Sequence, residues 1–257
     1  MGTDLRLALI QTELVWEKPE INRKNFSRLL NDLSGKADLV VLPEMFTTGF
    51  TMNPDGINSQ EGERSLSWMK DHAQKLNAAV VGSILYRDNN EFYNRLFFVF
   101  PDQSFFTYDK KHTFTYAGEN EHYSSGKERV VISYKGFKIC PFICYDLRFP
   151  VWSRYRGDYD VLLYVANWPK PRIEAWDTLL RARAIENMCY TIGVNRIGED
   201  TNGHLYPGHT GLYDPLGKKV AYSEEKEIII TSINLKYLQD TRNRFRFLED
   251  RDGFNFC

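Results

Sequence analysis

Four stretches of this chain are apolar almost from end to end and then stop on polar or reactive residues: DLVVLPE (38–44), AAVVGSIL (78–85), FKICPFICYD (137–146) and DVLLYVAN (160–167). A strand with one face in water alternates apolar and polar side chains. A run without that alternation reads as a strand covered on both faces, which demands further layers above and below it. Helical stripes lie between these runs. Phe26, Leu29, Leu30 and Leu33 fall at i, i+3, i+4 and i+7 of a helix beginning near Pro19, and Leu66, Met69, Ala73 and Leu76 mark a second. LRLALIQT (5–12) reads as a first strand, RIEAWDTLLRARAIENMC (172–189) as a late helix, and YTIGVNR (190–196) as the strand after it. A short helix is predicted over 147–157.

The middle of the chain follows a different pattern. Aromatic-rich runs flank the turn signals Asp88-Asn89-Asn90 and Pro101-Asp102-Gln103, which reads as antiparallel hairpins, and another pair of strands surrounds Asp214-Pro215-Leu216-Gly217. The sum is an α/β protein with one or two mixed sheets and helices on the outer faces. No linker, repeat or compositional break divides it, so a single domain over 1–257 is expected.

Thirty-three basic and thirty-four acidic side chains give a formal charge of −1 without blocks of one sign. Neither a phosphate backbone nor an anionic membrane finds a partner in such a surface. The first residues, MGTDLRLALIQTELVW, hold an apolar stretch too short and too interrupted for a signal peptide or a membrane span, and Arg6 spoils the myristoylation pattern begun by Met1-Gly2. A cytoplasmic location is expected. Cys140, Cys144, Cys189 and Cys257 are too sparse for a disulfide framework, so reduced thiols are expected.

Functional side chains of α/β sheets collect where strands end. Glu44 follows VVLP, Lys110 follows FFTYD and Cys144 follows KICPFI, which offers a base, a charge stabiliser and a nucleophile. Each has a plainer reading as a loop carboxylate, a solvated lysine or core filler. Glu44, set after a fully apolar strand, is expected to be partly buried with a raised pKa. Lys110 and Lys111 point to opposite faces of a strand, and spacing does not choose between them. A helix starting near Asp146 or Leu147 would aim its positive end at Cys144 and favour the thiolate. Cys140 is expected to pack. The spacing C-x3-C is not a metal clamp, and His112, His122, His204 and His209 show no ligand pairing, so no metal and no cofactor are expected.

LVVLPEMFTTGF, DKKHTF and CPFICYDLRFP, in that order and spacing, resemble the glutamate, lysine and cysteine motifs of the nitrilase, or carbon-nitrogen hydrolase, superfamily. The resemblance runs from LALIQ to the C-terminal DGF. It implies a four-layer αββα sandwich, usually dimerised through helices, and a catalytic set of Glu44, Lys110 (two positions before His112), Cys144 and a further glutamate, Glu119 rather than Glu121. Ser125 stands where the family usually has a proline. AGENEHYSSG, YVANWP, WDTLLRARAIEN and RFRFLEDRDGF resemble the bacterial omega-amidase branch, which implies hydrolysis of the terminal amide of 2-oxo acids such as 2-oxoglutaramate and 2-oxosuccinamate.

In the chemistry so implied, Glu44 takes the thiol proton, and Lys110 and the Tyr145 N–H hold the oxyanion. Phe46, Tyr145 and Trp168 follow strand ends and would wall the pocket, although Trp168 reads equally well as core. Arg148, Arg181 and Arg183 are open alternatives for a substrate carboxylate. Other amidases, carbamoylases and nitrilases are the near rivals. A metal-dependent αββα phosphoesterase and a catalytically idle interaction module are the distant ones, the former distinguished by sensitivity to chelators instead of thiol reagents.

Overall fold

The computed structural model of the protein describes residues 4–255; Met1, Gly2, Thr3, Phe256 and Cys257 lie outside it, and with them the Met1-Gly2 start and the Cys257 thiol considered above. The first half of the chain runs β1 (Asp4–Gln11), α1 (Pro19–Leu30), β2 (Leu39–Val41), α2 (Glu61–Leu76), β3 (Ala79–Asp88), β4 (Glu91–Val99), β5 (Phe105–Asp109) and the one-turn α3 (Glu119–His122). The second half runs β6 (Ile132–Tyr134), β7 (Phe137–Ile143), α4 (Pro150–Ser153), β8 (Val161–Ala166), α5 (Ile173–Asn187), β9 (Tyr190–Asn195), β10 (Ile197–Glu199), β11 (Leu205–Pro207), β12 (Thr210–Tyr213), β13 (Lys219–Ser223), β14 (Glu227–Asn234) and α6 (Leu235–Phe245).

Two six-stranded sheets result, with β10 and β11 forming a separate small hairpin. The first has the order β14-β1-β2-β3-β4-β5, in which β1, β2 and β3 are parallel and the rest antiparallel. The second has the order β13-β12-β9-β8-β7-β6, again with three parallel strands, β7, β8 and β9, and antiparallel flanks.

Strand periodicity explains the layers. In the first sheet, Leu7, Leu9, Leu39, Val41, Val81, Leu96 and Phe98 point to the second sheet, whereas their neighbours Ala8, Ile10, Val40, Val80, Phe97 and Val99 meet Phe26, Leu30, Leu66, Met69 and Ala73 of α1 and α2. Trp176, Leu180 and Ala184 of α5 and Leu238 of α6 cover the second sheet. This is the four-layer αββα sandwich expected from the sequence, and it explains why the parallel strands are apolar on both faces. Gly193 of β9 lets α5 sit close, since a Cβ there would lie 2.4 Å from Leu180 Cδ1 and 2.7 Å from Trp176 Cζ2.

One local expectation differs, and two elements had none. The helix predicted over 147–157 is instead a 3-10 turn, Cys144–Arg148, followed by the separate α4. Pro150, at the start of α4, has no N–H to continue a helix from the preceding turn. The helix α6, capped by the Asn234 side chain accepting from the Tyr237 N–H at 2.8 Å, and the β10–β11 hairpin were not read from the sequence. Among the described residues no helix is long and apolar enough to cross a membrane.

Candidate active site

Glu44 leaves the first sheet just after β2, where Pro43 ends the ladder. It is fully buried, and the next residue, Met45, turns the chain through a left-handed conformation at φ 43°. Its carboxylate is held from both sheets. Asn94 on β4 donates to Oε1 at 2.8 Å, and the backbone N–H of Asn167, beyond β8, donates to Oε2 at 2.7 Å. The Asn167 amide closes the clamp by donating to the Glu44 carbonyl at 2.6 Å.

Lys110 follows β5 and is 1% exposed. Gly126 fixes its height, because the Gly126 N–H donates to the Lys110 carbonyl at 2.8 Å, and a Cβ on Gly126 would lie 2.1 Å from the Asp109 oxygen. The ammonium donates to Glu44 Oε1 at 2.9 Å and to Glu119 at 2.8 and 3.0 Å, with the Phe50 ring 4.8 Å away. Lys111 points elsewhere, its Nζ 5.5 Å from the centre of the Trp152 ring. Glu119 is buried and takes a hydrogen bond from the Phe114 N–H, whereas Glu121 is exposed. Burial works against the Lys110 ammonium, yet Glu119 and then Glu44 outweigh it and hold its pKa above the ordinary lysine value. Burial, with Glu44 adding to it, raises Glu119 despite the neighbouring cation.

Cys144 stands at the end of β7 with φ 43°, a conformation that costs a residue with a Cβ about 1–3 kcal/mol and persists only where its surroundings enforce it. Its sulfur opens on a cavity and lies 4.0 Å from the Asn167 carbonyl. No α-helix begins behind it, since the turn starts at Cys144 itself, so the helix field expected from the sequence is absent. Burial first, and then the negative charge of the nearby Glu44 carboxylate, push the thiol pKa well above its usual value against the opposing pull of Lys110. That raised pKa favours the protonated sulfur over a thiolate at rest. Beside an acceptor carboxylate such a thiol can lose its proton as it attacks. Cys140, four residues earlier on β7, is fully buried in the core.

The cavity at Cys144 measures about 320 Å³. Tyr145 and Trp168 line it, as expected. Phe46 does not: left-handed Met45 turns the chain toward the outer helices, and the Phe46 ring packs 5.3 Å from Phe26 and 5.5 Å from Trp68. Phe50, Met52 and Phe114 supply the apolar wall in its place. Of the three candidate arginines, Arg148 lines the cavity, its guanidinium 5.1 Å from the Trp168 ring. Arg183 is buried in donation to the Leu147 carbonyl (2.7 Å) and Glu186 (2.9 Å), and Arg181 is exposed on α5. Arg172, which sequence reasoning passed over, also reaches the cavity, as does the β10–β11 hairpin through Asp200, His204 and Tyr206. Three histidines are held by carboxylates, His112 by Asp146, His204 by Asp200 and His209 by Asp177, while His122 is exposed.

Paired sheets between helices, with an ammonium, two carboxylates and a thiol meeting at one cavity, define a nitrilase-type sandwich. The family model described as carbon-nitrogen hydrolase matches residues 6–243, and the chain belongs to that family. It is 43% identical over 252 residues to omega-amidase YafV of Yersinia enterocolitica, covering 97% of this chain and 98% of the relative. It is 32% identical to 2-oxoglutaramate amidase of Bacillus subtilis, covering 95% and 96%. The crystal structure of XC1258 from Xanthomonas campestris, a CN-hydrolase superfamily protein with an arsenic adduct in its active site, superposes with a TM-score of 0.95 at 39% identity over 99% of each chain.

Proposed function

We infer that this enzyme is an omega-amidase, releasing ammonia from the terminal amide of small 2-oxo acid amides such as 2-oxoglutaramate and 2-oxosuccinamate. The observation that carries the reading is the buried Glu44–Lys110–Glu119 set beside the Cys144 sulfur in a cavity of small-molecule size. The likeness to the YafV and 2-oxoglutaramate amidases over nearly the whole chain supports the substrate class.

In this reading the Cys144 sulfur attacks the amide carbon while its proton passes to Glu44. The tetrahedral oxyanion is held by the Lys110 ammonium and the Tyr145 N–H, a pair in which each donor is worth roughly 3–4 kcal/mol, a few hundredfold to a thousandfold in rate. The C–N bond breaks as Glu44 returns the proton to the departing ammonia, leaving a thioester. Water, deprotonated by Glu44, then cleaves the thioester, and the proton goes back to the sulfur. Glu119 keeps Lys110 charged and aimed. Arg148 and Arg172, which line the cavity and form no ion pair among the described residues, are the cations available for the substrate carboxylate.

Ammonia release from a panel of 2-oxoglutaramate, 2-oxosuccinamate, N-carbamoyl amino acids, simple amides and nitriles tests the reading. Turnover of the two oxo-acid amides above the others is expected. Reaction of simple amides or nitriles alone would remove the omega-amidase assignment and leave the family intact.

The single domain, the cytoplasmic location and the homodimer expected earlier belong to this proposal. The return of β14 from the second half of the chain to the first sheet supports one folding unit. Cys140, Cys144 and Cys189 are unpaired, which suits a reducing compartment. Ile185 on α5 and Tyr237 on α6 are large apolar side chains left exposed on the outer helices, which suits pairing of two chains there; sedimentation equilibrium measures it.

A further inference from the structure

Asp146, two residues after Cys144, takes no part in the steps above, yet its carboxylate is 0% exposed and fully engaged. Oδ2 accepts from the Ile143 N–H at 3.1 Å and from the Tyr108 hydroxyl at 2.7 Å. Oδ1 accepts from the His112 N–H at 3.0 Å and lies 2.7 Å from His112 Nδ1. Tyr108 and His112 stand two residues before and two residues after Lys110. Ile143 and Asp146 bracket Cys144. One buried carboxylate thus ties both flanks of the ammonium-bearing strand end of the first sheet to both flanks of the thiol-bearing strand end of the second.

The surroundings brace this joint. Trp152 Nε1 donates to the Tyr108 hydroxyl at 3.1 Å, the Lys111 N–H donates to it at 3.3 Å, and the His112 ring stacks on Phe149 at 3.7 Å with 7° between the planes. The part of the chain so braced includes Cys144 at φ 43°, which would relax if released. Relaxation there turns the Tyr145 N–H and moves the sulfur relative to Lys110. A misplacement of about 1 Å at a reacting group is enough to cost roughly a hundredfold in rate.

We propose that Asp146 is a positioning residue, a strut between the two sheets that holds Cys144 in its left-handed turn and sets its register against Lys110. The proposal rests on the roles given to Cys144 and Lys110 under Proposed function. Asp146 touches neither substrate nor reacting atoms, so its effect falls on kcat and spares KM.

The test compares Asp146→Asn, Tyr108→Phe and His112→Phe in the full chain, with kcat and KM for 2-oxoglutaramate normalised to folded protein and thermal midpoints recorded. Asp146→Asn preserves volume but replaces one acceptor by a donor, and kcat is expected to fall about a hundredfold with KM within about threefold. Tyr108→Phe and His112→Phe each remove one arm, the latter keeping an aromatic ring on Phe149, and each is expected to lower kcat about tenfold with little change in midpoint. Joining the two is expected to approach the Asp146→Asn loss. Lower midpoints with undiminished kcat per folded molecule would overturn the proposal, as would equal losses in kcat and rises in KM. If Asp146→Asn does not fold, full kcat in both phenylalanine variants overturns it alone. A wild-type protein inert on every amide of the panel sinks the catalytic reading and this strut together, whereas an active wild type, a dead Cys144→Ala and unaffected phenylalanine variants sink only the strut.

Discussion

The first sheet and the second share a plan of three parallel strands with antiparallel flanks, and each turns through a left-handed residue at the site, Met45 in one and Cys144 in the other. Their contributions differ. The first brings the charges, with Glu44 after β2, Lys110 after β5 and Glu119 a few residues on. The second brings the Cys144 thiol after β7 and the Asn167 amide after β8. The Lys110 ammonium lies between the two carboxylates within one half of the molecule, which offsets part of the cost of burying them. The thiol is thus carried to a field that already exists, and the two halves meet where Asn167 clamps Glu44 and where Asp146 binds Tyr108 and His112.

This division can be broken in steps. The largest effect is expected from Cys144→Ala, which should lower ammonia release by more than about 10⁴-fold while circular dichroism and thermal midpoint stay near those of the parent. Cys140→Ala, on the same strand, should keep most of the rate and lose about 1 kcal/mol of stability in urea titration. Lys110→Met takes the cation out of the first sheet and leaves two carboxylates facing each other. Turnover is expected to drop roughly 10²–10³-fold, and stability by about 3–5 kcal/mol, the usual consequence of orphaning one side of a buried pair. On the second sheet, Gly193→Ala is expected to cost about 1–3 kcal/mol by pushing α5 off β9, read as a lowered denaturation midpoint.

The pH response separates the halves further, with smaller effects. The described thiols all lie in the second half, where burial pushes Cys189 up to about 12 and raises Cys140 and Cys144 as well. The folded state then keeps protons that the unfolded chain releases near 8.5, so stability should fall as pH rises from about 8.5 toward 12. Asp38, just before β2, behaves oppositely. Arg6 foremost, opposed by burial and aided by Lys135 from the β6–β7 turn, holds its carboxyl below the ordinary range. That stabilisation is present above about pH 3.9 and lost as pH falls through the folded value. Asp38→Asn should remove at most about 1 kcal/mol and flatten the acid side of the profile.

Much of the site was readable before folding because the chain places each reactive group directly after an apolar run, and the covered strand, its end and the reactive residue are consecutive. Glu44, Lys110 and Cys144 come together as that pattern implies. Phe46 was misjudged because two residues past a strand end the direction of a side chain depends on the intervening turn, and Met45 takes the left-handed form that sequence gives no sign of. The helix behind Cys144 was misjudged because Asp146, which reads as a helix N-terminus, spends its carboxylate on Ile143, Tyr108 and His112. Arg172 and the β10–β11 hairpin went unseen since Arg172 lies six residues past the end of β8 and the two hairpin strands are only three residues long. The Asn234 cap ahead of α6 was a signal that could have been found.

Local order along the chain determined the mixed α/β class with helices on the outer faces and the three strand ends, because hydrophobic period and strand termination are written in consecutive residues, whereas the four layers were implied by the family resemblance. Only the packing of one sheet on the other decided which lysine turns inward and which arginines reach the cavity. Those outcomes depend on distances between groups 34 to 123 positions apart, such as His112 to Asp146 and Glu44 to Asn167, and on the water excluded between them.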